Sequence, residues 1–96
     1  MKTREEILAR LRAAKAELEG RFRVRSLALF GSCARGEQTE ASDVDILVEV
    51  DPAIGLGFVS LAEELERCLQ ERVELVSSRA VKRGRRALIE GDLIYV

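Results

Sequence analysis

Apolar residues recur along this chain with two different periods, and each change of period marks an element. Ile7, Leu8, Leu11, Ala14 and Leu18 fall three or four residues apart, the stripe of an amphipathic helix. Thr3 with Glu6 three residues on predicts a capping box at its start, and Gly20 predicts its stop. Val24 to Phe30 is apolar enough for a buried strand and breaks at Gly31-Ser32. Ala34 to Gln38 then allows one short helical turn. From Val44 the period becomes two. Val44, Ile46, Val48 and Val50 alternate with Asp45, Leu47 and Glu49, which predicts a strand ended by Asp51-Pro52. Gly55 and Gly57 mark a loop. Phe58, Leu61, Ala62, Leu65 and Leu69 return to helical spacing, and Arg72 to Val76 reads as a third strand. Ser77 or Ser78 is expected to cap a last helix through Val81, Leu88 and Ile89, weakened by ~1 kcal/mol at Gly84. Leu93 to Val96 reads as a short closing strand.

The first two strands are separated by only about a dozen residues, too few for a full parallel crossover. A small mixed β-sheet with helices mainly on one face is therefore expected, an α/β (α+β) fold. No repeat, linker or low-complexity tract interrupts it, so residues 1–96 are expected to form a single domain. No stretch approaches the ~18–20 apolar residues of a membrane span, and Met1 to Glu6 has no apolar run behind it. Neither a membrane nor a secretory destination is expected. Cys33 and Cys68 then read as reduced thiols of a cytoplasmic protein.

Charge and composition narrow the chemistry further. Histidine is absent, which removes His-based triads, His zinc sites and His general bases together. Carboxylates, hydroxyls, arginines or a hard metal ion must do any chemistry. The net charge of −1 conceals segregation: residues 1–25 carry +4, 26–51 carry −5, 52–78 carry −3 and 79–96 carry +3. Arginine outnumbers lysine 13 to 3, favouring phosphate and carboxylate partners. The overall balance does not suit direct binding of duplex DNA.

The informative stretch is Leu29-Phe30-Gly31-Ser32-Cys33-Ala34-Arg35-Gly36, followed by Ser42-Asp43-Val44-Asp45-Ile46-Leu47-Val48. Asp43 and Asp45 stand two apart at the start of an extended run, so their side chains share a face with Cα atoms ~6.5–7 Å apart. Aspartate is disfavoured among such apolar strand neighbours, and paired like charges repel more strongly as they lose water. A divalent cation relieves both problems, and hard oxygen ligands select Mg²⁺ or Mn²⁺. The plainer alternative is a solvent-facing pair that caps the strand or meets an arginine. Gly31-Ser32 offers backbone N–H groups and a hydroxyl suited to a nucleotide's phosphates. Arg35 offers a positive fork there, or else a salt bridge to Glu37 or Glu40.

Gly31-Ser32, ten further residues, and then Asp43-Val44-Asp45 resemble the signature of the DNA polymerase β-like nucleotidyltransferase superfamily. The fuller string looks like its minimal nucleotidyltransferase (MNT) branch, the MntA-type antitoxins of HEPN/MNT toxin–antitoxin pairs. The resemblance covers the whole chain in length and element order, with its specific residues in positions 29–48.

The resemblance implies that Gly31 and Ser32, with Arg35 beside them, bind the triphosphate, and that Asp43 and Asp45 bind the catalytic metal. A third acid is usually an aspartate in a Val-Asp-Leu-Val setting. Here the match is Val73-Glu74-Leu75-Val76, so Glu74 takes that place. The extra methylene shifts its carboxylate by ~1.5 Å, which bears on rate more than on metal binding. The alternative for Glu74 is an exposed strand residue paired with an arginine.

The implied activity is Mg²⁺-dependent transfer of a nucleoside monophosphate, AMP from ATP, to a hydroxyl of a protein partner, a HEPN toxin. Two ions roughly 3.5–4 Å apart would serve the entering and leaving oxygens. Related enzymes that modify antibiotics carry an additional domain, so the acceptor is expected on another chain. The competing reading is a contact antitoxin with a weak or decayed site, favoured by Glu74. An accidental motif in an unrelated α/β domain is the third.

Other features weigh less. Arg79, Lys82, Arg83, Arg85 and Arg86 form a basic stretch, read as a solvated helix face or a contact to phosphates or an acidic partner. Tyr95 reads as strand packing, with self-modification as the alternative. The long helices would also suit a homo-oligomer.

Overall fold

The computed structural model describes all 96 residues. The chain runs α1 (Arg4–Phe22), β1 (Val24–Phe30), α2 (Gly31–Arg35), β2 (Val44–Val50), a 3₁₀ turn (Pro52–Ile54), α3 (Gly57–Leu69), β3 (Val73–Ser77), α4 (Arg83–Glu90) and β4 (Ile94–Tyr95). The four strands form one mixed sheet in the order β3-β2-β1-β4. β1 is antiparallel to both β2 and β4, whereas β2 and β3 are parallel and joined through α3. The short β1–β2 connection thus gives an antiparallel pair, and only the connection carrying a full helix makes a parallel one.

The capping box forms as expected: Glu6 N–H donates to Thr3 Oγ1 at 3.2 Å, and Thr3 N–H donates to Glu6 Oε1 at 3.3 Å. Several boundaries differ from the sequence expectation: Gly57 opens α3 rather than marking a loop, β3 runs one residue later than Arg72 to Val76, and the larger shifts are at α1, α2 and α4. α1 continues past Gly20 to Phe22 and stops at Arg23, which takes the left-handed conformation at φ +55°. A tertiary link explains why a non-glycine residue turns there: Asp51 N–H donates to Arg23 O at 3.3 Å, and the Arg23 guanidinium lies 3.7 Å from the Asp51 carboxylate. α2 begins at Gly31 rather than Ala34. Gly36, at φ +72°, ends it by turning its own and the Glu37 N–H back onto Cys33 O and Ser32 O. α4 starts at Arg83, with neither Ser77 nor Ser78 as its cap. Ser77 belongs to β3, and Ser78 extends the pairing by donating its N–H to Val48 O at 2.8 Å.

The sheet buries apolar side chains on both faces, unequally. On one, Leu27, Leu29, Val44, Ile46 and Val48 pack with α1 (Ile7, Leu11, Leu18) and α3 (Leu61, Leu65, Leu69). The other has only Ala28, Phe30 and Leu47 beneath Ile89 of α4. Leu88, expected on the inner side of α4, is 79% exposed. No polar or charged residue is fully buried. By strand alternation Asp45 lies on the same face as Leu47, so the acidic chemistry belongs to the thinly covered α4 side.

Candidate active site

Strand register assembles the site. Asp45 pairs laterally with Phe30 on one side and with Glu74 on the other, so the two acids sit on neighbouring strands at the same level. Gly31, immediately after Phe30, closes over Asp45. A methyl group on Gly31 would collide with Asp45 Oδ2 and come within 3.1 Å of its Cγ, and Gly31 has φ +74°. Glycine is required there for both backbone conformation and space. Ser32 follows, half-buried, at the beginning of α2.

Asp43 precedes β2 and is held by the loop before it. Ser42 Oγ accepts the Thr39 N–H at 2.9 Å, and Ser42 N–H donates to Thr39 O at 3.0 Å. Beneath this loop the Cys33 thiol points at Asp43 O, 3.9 Å away, and at Met1 Sδ, 3.7 Å away. Burial, then the charges of Asp45 and Glu71, push that thiol's pKa up. Cys33 is a buried free thiol that packs in the core beneath this loop. The N-terminal segment braces the same loop: Met1's ammonium meets Glu40 at 2.8 Å, Gln38 donates to Lys2 O at 3.2 Å, and Arg4 donates to Ala34 O at 3.1 Å. Sequence reasoning missed these braces because they join positions thirty or more apart.

The electrostatics are those of crowded acids. Asp45's pKa is pushed up to about 7, first by burial, then by its carboxyl–carboxylate hydrogen bond with Glu74 and the charges of Glu74 and Asp43. Glu74 is shifted the opposite way, because it accepts that hydrogen bond and also faces Arg85. Without a cation the two carboxyls compete for one proton as the pH falls towards 7, and burial favours finding it on Asp45. The outer acids have arginine partners: Arg72 Nε lies 3.3 Å from Asp43 Oδ1, and Arg85 Nη2 lies 3.1 Å from Glu74 Oε1.

The three acids are not closed into a ready metal cage as they stand. Their donor set nevertheless fits a hard divalent cation. All three are carboxylates, and Asp45 is held towards its protonated form by burial and then by its anionic neighbours, a cost that a cation would relieve.

Arg35 is otherwise engaged, donating to Glu37 at 2.8 Å and Asp92 at 2.5 Å. Beside Glu74 lies an open cleft of about 460 Å³, with Phe58, Leu75 and Val81 as apolar walls and Lys82 and Arg85 among its polar lining. Tyr95 is 59% exposed on β4, opposite Ala28. No helix is long and apolar enough to cross a membrane.

Known proteins share this arrangement. The family model described as a nucleotidyltransferase domain matches residues 11–94. The protein adenylyltransferase MntA of Thermococcus cleftensis is 45% identical over 98 residues, covering 100% of this chain and 98% of that one. A solved structure assigned as a minimal nucleotidyltransferase superposes with TM-score 0.82 at 33% identity, covering 97% of this chain and 95% of that chain. A complex of an MNT antitoxin with a tri-AMPylated Shewanella oneidensis HEPN toxin shares the fold at TM-score 0.65 and 21% identity, covering 94% of this chain and 70% of that chain. A chain with this domain match, this identity over its full length and this sheet end belongs to the nucleotidyltransferase domain family and is an enzyme of that kind.

Proposed function

We propose that the chain, acting as one minimal domain, is a Mg²⁺-dependent adenylyltransferase that moves AMP from ATP to a hydroxyl of a HEPN-type protein partner and so acts as an antitoxin. The observation that carries this reading is the meeting of Gly31-Ser32, Asp43, Asp45 and Glu74 at one end of the sheet. The names of the relatives support the acceptor class, since MntA is called a protein adenylyltransferase and the Shewanella complex joins an MNT antitoxin to an AMPylated HEPN toxin.

In this reading Asp43, Asp45 and Glu74 hold Mg²⁺, two ions in the family pattern with Mn²⁺ as a substitute, and the bound metal supplies charge neutralisation on the phosphates. Gly31 and Ser32 receive the triphosphate through backbone N–H groups and the Ser32 hydroxyl. Arg35 reaches it only by giving up Glu37 and Asp92. The cleft between Phe58 and Val81 is large enough for the nucleoside. The partner's hydroxyl oxygen forms a bond to the α-phosphorus, the α–β phosphate bond breaks, and pyrophosphate departs. Glu74 is placed to take the hydroxyl proton, and positioning does most of the catalysis.

Neutralisation by contact alone is the second reading. It is favoured by Glu74 in place of the family's usual aspartate and by the arginines on two of the three acids.

The test is incubation with α-phosphate-labelled ATP, Mg²⁺ and host lysate. A labelled protein band is expected, reduced at least about 100-fold by Asp43→Ala/Asp45→Ala. Label that persists in the double variant would sink the catalytic assignment.

A further inference from the structure

The site contains its own counter-cations. Asp43 and Glu74 are half-exposed, and each faces a guanidinium that arrives from outside the Gly31–Asp45 segment, Arg72 from the start of β3 and Arg85 from α4. Asp45, between them, has no arginine within ion-pair distance and is sealed from above by Gly31. The two arginines are themselves 68% and 50% exposed, so solvent is open to both when they let go. Arg72 is steadied by donating to Ala41 O at 3.1 Å, whereas Arg85 has no recorded hydrogen-bond partner besides Glu74 and borders the cleft.

Resting on the metal assignment above, we propose that Arg72 and Arg85 neutralise Asp43 and Glu74 until a divalent cation takes those carboxylates, and so hold down the affinity of the site for bare metal. A cation taking Asp43 or Glu74 competes for that carboxylate's charge with a guanidinium already seated on one of its two oxygens. Released, Arg85 stays on the border of the cleft, where a nucleotide phosphate would compensate it. Metal entering with a nucleotide then encounters less opposition than metal entering alone.

Mn²⁺ titration of the nucleotide-free protein, read by the loss of the free-ion electron paramagnetic resonance signal, tests this without reference to activity. Arg72→Met and Arg85→Met are each expected to tighten Mn²⁺ binding about threefold, and the pair about tenfold, as suits exposed ion pairs. Arg83→Met, on the same helix but outside any ion pair, reports the general field and should change affinity less than twofold. Arg85→Lys, which keeps a cation within reach of Glu74, should return towards the wild-type affinity. Arg85→Met should have no effect in a Glu74→Gln background. Equal affinity in wild type and both methionine variants, or tightening by Arg83→Met equal to that by Arg85→Met, would overturn the proposal. Metal binding lost in Asp45→Asn would leave the metal assignment standing in that event, whereas no Mn²⁺ binding by any form would remove both. Circular dichroism melts confirm that the surface variants remain folded.

Discussion

At Gly31 the sequence requirement and the structural reason coincide. The backbone there needs positive φ, and any side chain would occupy the space of the Asp45 carboxylate. Gly36 also has positive φ, yet nothing lies within 4 Å of the place its Cβ would take. The two glycines therefore predict different phenotypes. Gly36→Ala should cost about 1–2 kcal/mol of stability, the strain of a left-handed residue, with transfer activity largely kept. Gly31→Ala should cost at least as much and also displace Asp45, lowering transfer by about 100-fold or more. Thermal melts and the labelled-ATP assay on both variants check this, and equal activity in the two would refute the assignment of Gly31.

Asp45 makes a second prediction at this scale. Its folded pKa, about 7, lies well above the 3.8 of an ordinary aspartate. The folded state therefore holds a proton that the unfolded state has released, so stability falls as pH rises from about 4 to about 7. Glu74 is shifted downward, so its own contribution changes only below the 4.5 of an ordinary glutamate, outside most of this window. In the absence of divalent cations, the melting temperature of wild type should drop between pH 5 and pH 8 more than that of Asp45→Asn. At pH 8 the Asn variant should be the more stable by about 1 kcal/mol, a figure kept small because the carboxyl is only half-buried. Denaturant melts at both pH values supply the measurement. The two aspartates were legible in the sequence, as was Glu74, because motif and strand period specify them locally. Arg72 and Arg85 were not legible as their partners, since those pairings arise from β2–β3 register and the docking of α4.

Among the elements, α4 is the one held most lightly. Ile89 is its only buried residue, and its start lacks a side-chain cap. α1 and α3, by contrast, send Ile7, Leu11, Leu18, Leu61, Leu65 and Leu69 into one continuous core. Amides of α4 should accordingly exchange with solvent faster than those of α1 and α3. Ile89→Ala should destabilise the protein by about 2–4 kcal/mol or release α4 locally, and hydrogen exchange resolved by segment distinguishes these. Protection of α4 equal to that of α1 would contradict the picture of a thinly anchored helix. The same physics explains which elements sequence reasoning located. β2 was found because every second residue is apolar and buried, and α3 because Phe58, Leu61, Ala62, Leu65 and Leu69 share one face. The shift at α4 came from a bond invisible along the chain, the Ser78–Val48 link that continues β3 where a cap was expected.

Over the whole molecule, the two faces of the sheet have separate duties. The α1–α3 side carries most of the buried apolar surface, the α4 side carries the acids, and the cleft opens at the β3 edge between them. Substitutions among the acids should therefore leave the fold intact, which makes catalysis and contact separable in a cell. If AMP transfer silences the toxin, Asp43→Ala/Asp45→Ala should still bind a HEPN-type partner yet fail to restore growth when the two are co-expressed. If contact suffices, the same variant should restore growth as well as wild type does, since the bulk of its surface is unchanged. The transfer reading predicts the first result, with at least about a 100-fold loss of label on the partner accompanying retained complex formation. Co-purification paired with growth rescue decides it, because only catalysis separates the two readouts. An apolar scaffold on one face and charged chemistry on the other lets a chain of 96 residues support both a stable sheet and a reactive edge.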